Sequence, residues 1–179
     1  SAAIAAYTIA LRMIEFILLP AWGLGNAAST LVGQNLGANK PGRAERSAWK
    51  AARYNGTFMI GVAVVLLLFA PWLTGLFSDD PDVLRWGTSC VRIMGIGFPM
   101  YALGMVLVQA FNGAGDTSTP ALLNLVCFWL VQLPLAWWLA TTLELGPNGV
   151  FWAIVISESL LTVLAVLMFR RGNWKHAEA

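Results

Sequence analysis

The sequence predicts an all-α integral membrane fold, a bundle of five membrane-crossing helices, and three observations predict it. Hydrophobic residues make up 58% of the 179 and charged residues only 11%, against about 25% charged in a soluble domain. The apolar residues gather into runs near the ~20 that a helix needs to cross a ~30 Å hydrocarbon core. Basic residues collect on alternate connections, as the positive-inside rule requires. The nine tryptophans agree, because Trp is enriched at membrane interfaces.

Other classes fall away on the same evidence. A net charge of +2 is too small to argue for nucleic acid as a partner, and the bases sit beside apolar helices, where retention on one side of the bilayer explains them. Cys90 and Cys127 lie in or beside predicted spans, which indicates neither a disulfide framework nor a metal site. His176 is the only histidine, so zinc chemistry has almost no raw material. No cofactor, metal ligand or catalytic set is expected, and the chain does not read as an enzyme. It opens SAAIAAYTIALR, with no initiator Met and no basic n-region, unlike a signal peptide, and reads as the carboxyl-terminal piece of a longer protein.

The first span is expected over about 2–32, longer than a bilayer requires. Arg12 and Glu15 lie inside it on one helical face, and Pro20 is expected to kink it. Gly33 and Gly37 have the GxxxG spacing that lets a neighbouring helix approach, and Gly37, Asn39 and Pro41 read as a stop signal. A basic loop follows, with Lys40, Arg43, Arg46, Lys50 and Arg53 against a single acid, Glu45.

The second span, 54–77, has an uncharged core and Pro71 near its far end. An acidic loop at 78–85 carries Asp79, Asp80 and Asp82, most simply a solvated turn. The third span, 91–111, is entered past Arg92, bends at Pro99 and contains Gly95, Gly97 and Gly104. Its exit, Asn112 to Pro120, predicts a tight helical hairpin. Gly113 is expected to close one helix in a left-handed conformation, with Thr119 as N-cap and Pro120 at the first helical position of the next. Asp116 reads as a hairpin or capping residue.

The fourth span, 121–139, is uncharged but holds Asn124, Gln132 and Pro134, and ends at Trp137 and Trp138. The fifth, 150–169, has one charge, Glu158, ~12 Å along it at 1.5 Å per residue and so near mid-membrane. Residues 1–172 form one helical unit, and 173–179 a cytoplasmic tail.

Alternation through five spans puts the basic loop, the hairpin and the carboxyl terminus on one side. That side carries eight of the eleven bases, Lys40, Arg43, Arg46, Lys50, Arg53, Arg170, Arg171 and Lys175, while the opposite loops carry only Arg85. The basic side is therefore expected to be cytoplasmic, with the amino terminus outside.

Ionisable groups at membrane depth cost about 2.5–3.5 kcal/mol on insertion scales and are functional candidates by default. Arg12, Glu15 and Glu158 qualify. For Glu158 the functional reading is a proton or cation site. The plain one is a carboxylate pinned by hydrogen bonds from Ser157, Ser159 or a neighbouring helix. For Arg12 and Glu15 an intrahelical ion pair is the favoured reading. Tyr101, Gln109, Asn124 and Gln132 can line a polar cavity, although interhelical hydrogen bonding is the commoner use of such residues. Gly23-Leu-Gly25 and Gly113-Ala-Gly115 lack the strand-to-helix setting of a phosphate cradle.

Three stretches, ASTLVGQNLGANKPGRAER, QAFNGAGDTSTP and GPNGVFWAIVISE, resemble in order, spacing and sidedness the second half of a MATE (multidrug and toxic compound extrusion) transporter. The resemblance covers essentially the whole chain. It implies a protein of twelve helices in two six-helix lobes, with residues 1–172 supplying helices eight to twelve, an incomplete C-terminal lobe. The implied partners are the missing amino-terminal lobe, the lipid bilayer and small organic cations as substrates. The implied activity is multidrug efflux by antiport against H+ or Na+, with alternating access between the lobes of a multi-pass protein of the cell membrane, the cytoplasmic one if bacterial.

One departure stands out. Some sodium-coupled members carry an aspartate midway along the helix before the hairpin, where this chain reads FPMYALGMVLVQ, with Tyr101 near the corresponding point. That argues against a sodium site in this lobe. Two alternatives remain: a lipid-linked oligosaccharide flippase of the same superfamily, expected to have a more basic cavity than Arg12 alone supplies, and a non-transporting membrane fragment or scaffold.

Overall fold

The structure, a computed structural model, describes residues 2–176. Helix α1 covers Ala2–Gly37, α2 Pro41–Gly75 and α3 Pro81–Gly113. The fourth span is continuous from Ser118 to Thr141 but changes winding: α4 (Ser118–Asn124), a π-helical segment (Leu125–Gln132) and α5 (Leu133–Thr141). Helix α6 covers Pro147–Arg171, and a short 3-10 turn (Asn173–His176) follows. Five helical stretches are long and apolar enough to cross a membrane, as the composition predicts.

The helices outrun the expected spans. The basic stretch is not a loop: α2 begins at Pro41, which suits the first helical position because its missing N–H would have no partner there. From Ala44 on, alanines at 44, 48, 51 and 52 face inward and are buried, while Arg43, Arg46, Lys50 and Arg53 point out. A helix with small residues on one face and cations on the other needs no break between the headgroup zone and the hydrocarbon. The acidic stretch is likewise mostly helical. Asp80 caps α3, its Oδ1 accepting from the N–H of Asp82 at 2.9 Å and of Val83 at 3.4 Å.

The hairpin forms, but with different parts. The left-handed residue is Gly115, at φ +82°, rather than Gly113. Helix α4 starts at Ser118, so Thr119 is already helical. The cap is Asp116, whose Oδ1 accepts from the Thr119 N–H at 3.1 Å and whose Oδ2 accepts from the Thr119 hydroxyl at 2.7 Å. A carboxylate outcompetes a threonine hydroxyl for the free amides at a helix start because it adds charge at the positive end of the helix dipole. Gly113 has another role: a Cβ there would meet the Ser29 carbonyl and lie 2.7 Å from the Ser29 Cα. This is where α1 and α3 touch backbone to backbone. Gly33 faces the same junction, its would-be Cβ 2.9 Å from the Gly113 oxygen, whereas Gly37 has open space around it. Only the first glycine of the GxxxG pair packs.

Helix α3 is central and packs against α1, α2 and α6. Two large apolar clusters stack along it, with a small one of Ala28, Ala51, Ala52 and Val106 beside them. One joins Ile14, Leu18, Met59, Leu66, Phe98 and Phe151. The other, at the basic end, joins Val32, Ala44, Leu107, Phe111, Phe169 and Trp174. The outer surface is apolar too, with Phe58, Leu68, Trp72, Leu122, Trp129 and Leu130 exposed, as a lipid-facing surface must be. Packing does not stop at the boundary expected near residue 172. Gly172 turns the chain at φ +77°, Trp174 is buried against Phe169 with ring centroids 4.5 Å apart, and its Nε1 donates to the Phe169 carbonyl at 2.9 Å. Residues 177–179 of the expected tail lie outside the described residues.

Candidate functional site

A cavity of ≈ 300 Å³ opens between α1, α3, the π-helical segment and α6. On α1, Tyr7, Leu11, Ile14 and Leu18 line it; spacings of four, three and four residues put them on one helical face. Helix α3 contributes Met94, Gly97, Phe98 and Tyr101, the fourth span Phe128 and Gln132, and α6 Ile154, Val155 and Glu158. Gly97 sets the width: a Cβ there would lie 3.0 Å from both γ-carbons of Val155, so α6 comes in over bare backbone. Two turns further on, Gly104 receives Thr162, whose hydroxyl donates to the Met100 carbonyl at 2.8 Å and lies 3.0 Å from that of Glu158.

Glu158 is the one charged side chain in the lining, midway between the ends of α6. The hydroxyls expected to pin it are committed elsewhere. Ser157 Oγ donates to Gln132 Oε1 at 2.8 Å and lies 2.9 Å from the Ile154 carbonyl; Ser159 Oγ donates to the Val155 carbonyl at 2.7 Å. Among the described residues the Glu158 carboxylate has neither an ion-pair partner nor a hydrogen-bond donor; the ion pair that forms joins Lys175 and Glu45. A carboxylate in a largely apolar cavity without a partner is costly as an anion, and a proton or a cation would relieve it. Tyr101 stands across the cavity, its hydroxyl accepting from Trp22 Nε1 at 3.4 Å.

Of the residues singled out from sequence, Glu158, Tyr101 and Gln132 are brought together here. Arg12 and Glu15 are not: both are exposed on α1, and Arg12 lies in a separate cleft with Thr8 and Phe77. Nor do they form the expected ion pair. A base three residues ahead of an acid runs in the less favourable order along a helix, and two exposed side chains have no burial cost to share. Gln109 packs against Gly25 and accepts from Asn112 at 3.4 Å, while Asn124 is exposed at the end of α4. Two aromatic lining residues, Tyr7 and Phe128, went unnoticed in sequence; the apolar face of α1 that includes Tyr7 was the available signal. Asn55 was also missed. It is fully buried on α2, its Nδ2 donating to the Ala102 carbonyl at 3.1 Å and its Oδ1 without a partner.

The family model described as MatE matches residues 1–138. The chain belongs to the MatE family. A relative from Caulobacter vibrioides, named probable multidrug resistance protein NorM, is 31% identical over 179 residues, 99% of this chain and 38% of the relative. A Shewanella oneidensis relative, named FAD transporter, is 25% identical over 169 residues, 94% of this chain and 37% of its own length. Among solved structures, the MATE transporter ClbM in complex with Rb+ superposes with a TM-score of 0.89 at 26% identity, covering 97% of this chain and 41% of ClbM. This MatE chain thus spans about 38% of the length of the first relative. It is a multi-pass membrane protein of a transporter family, and the matched residues stop short of α6 and its Glu158.

Proposed function

We propose that the chain forms most of one lobe of a secondary active multidrug efflux antiporter, exporting amphipathic, often cationic compounds in exchange for H+ or Na+. One observation carries the reading: Glu158, unpartnered, faces a cavity walled by Tyr7, Phe98, Tyr101 and Phe128. Aromatic faces and a single carboxylate are what an amphipathic cation needs, since ring faces attract cations and apolar walls take up the rest of the molecule. A site of one carboxylate cannot hold an organic cation and a coupling ion together, so each displaces the other, the minimum requirement for exchange. The names of the relatives support transport of organic molecules.

The other lobe is the partner this reading requires. Arg12 and Glu15 are exposed within the first span, and charges there are too costly to face lipid tails. In this reading the second lobe covers them. The asymmetry of the bases supports the basic end as cytoplasmic. The test is Glu158→Gln in the intact transporter, reconstituted in liposomes, with efflux of a cationic dye followed under pH and sodium gradients imposed separately. Efflux is expected to fall to background with expression and insertion unchanged. Wild-type efflux from the mutant would sink the assignment.

A further inference from the structure

Outside the cavity, the most strongly charged feature is a cleft on the first turns of α2, lined by Arg43, Arg46, Ser47, Trp49, Lys50 and Arg53. Positive-inside topology accounts for bases at this end of the molecule, but it does not ask that they share one concave surface. The four cations recur at spacings of three, four and three residues, which keeps them on one side of the helix, opposite the buried alanines. All four are exposed, and among the described residues none pairs with a carboxylate. Glu45, the acid nearest in sequence, is engaged by Lys175 at 2.6 Å. A fifth cation reaches in from α6: the Arg170 guanidinium sits 6.0 Å from the Trp49 ring centroid, and Trp49 is held edge-on against Phe169 at 5.7 Å. The indole is thus fixed from behind and forms a rigid wall.

Position decides what fits. Helix α2 is ~52 Å long at 1.5 Å per residue, well beyond the ~30 Å hydrocarbon core. Its exposed apolar surface begins at Tyr54 and Phe58, four and eight residues beyond Lys50 and so below it on the same side of the helix, and continues through Val65 and Trp72. The cleft therefore lies level with the lipid headgroups, open toward phosphate above and toward an acyl chain below. A soluble anion would use only the upper part.

We propose that this cleft is a binding site for an anionic phospholipid, its phosphate held by Arg46, Lys50 and Arg53 beside Trp49 and its glycerol and chains lying along Tyr54 and Phe58. Guanidinium forks suit a phosphodiester, and the apolar strip below adds the selectivity for lipid over free phosphate.

Native mass spectrometry of the delipidated full-length protein, titrated with phosphatidylglycerol or phosphatidylcholine of identical chains, tests this. Phosphatidylglycerol is expected to bind at least tenfold more tightly. Arg46→Gln with Arg53→Gln should remove that preference, at about fivefold per charge, without changing phosphatidylcholine binding; Arg46→Lys with Arg53→Lys should keep most of it. Both pairs are exposed on a helix surface and leave the fold intact, which dye efflux by the same variants checks. Equal binding of the two lipids by the wild type, or an undiminished preference in the glutamine variant, would overturn the proposal. So would displacement of the lipid by an equal concentration of glycerol phosphate, which would mark a soluble-anion site.

Discussion

Gly104→Ala probes the spacing between α3 and α6 that shapes the cavity. The added Cβ would collide with the Thr162 hydroxyl and lie 3.2 Å from its Cβ and 3.3 Å from its Cα. Thr162 is buried and its hydroxyl donates to the Met100 carbonyl, so it escapes only by giving up that bond or by pushing α6 outward. Overpacking costs about 1–3 kcal/mol and a lost interhelical hydrogen bond in a membrane protein about 0.6. The better helix propensity of alanine returns about 1 kcal/mol. The net destabilisation is roughly 0.6–2.6 kcal/mol, and at ~2–4 °C per kcal/mol for a protein of this size the melting temperature in detergent should fall by several degrees. Displacement of α6 also moves Glu158 relative to Tyr101, so the KM for dye efflux should rise. Thr162→Ala removes the obstructing hydroxyl; added to Gly104→Ala it should restore much of both losses, a positive coupling in a double-mutant cycle. An unchanged melting temperature in Gly104→Ala, or additive losses in the double mutant, would refute this account of the contact.

Two further outcomes follow from the geometry. Gly113→Ala should lower thermal stability, because its Cβ meets the Ser29 backbone, whereas Gly37→Ala, with open space around it, should be neutral or stabilising by ~0.4–1 kcal/mol; fluorescence-detected size-exclusion after a heating series separates them. Arg12→Leu and Glu15→Leu should impair efflux additively when combined, since the side chains do not pair; a double mutant that works better than either single change would show that they do.

The spans and three members of the cavity were legible because both rest on the cost of polar groups in lipid: apolar runs near bilayer length had to cross, and Glu158, Tyr101 and Gln132 had to face inward. Local chain geometry was harder to read. The basic stretch looks like a loop by composition, yet its alanine spacing holds it helical where hydrophobicity gives no guidance. Thr119 before Pro120 carries a strong capping signal, but Asp116 is in reach and charged. The winding change at Leu125–Gln132 left no mark beyond Pro134, whose missing N–H helps explain why the regular α-helical bonding pattern is interrupted nearby. Tyr7 escaped because one tyrosine on an apolar helix face looks like any other interfacial aromatic.

The Lys175–Glu45 pair ties residues 130 positions apart in sequence, beside the stack of Trp174 on Phe169. Helices α2 and α6 meet there, through Glu45, Trp49, Phe169 and Arg170, while deeper in the bundle α3 stands between them. The terminal turn therefore works as a clasp at one end of a fan. Fastened to α2 at the basic end, α6 carries Glu158 in its other half, where α1, α3 and the fourth span are its neighbours instead.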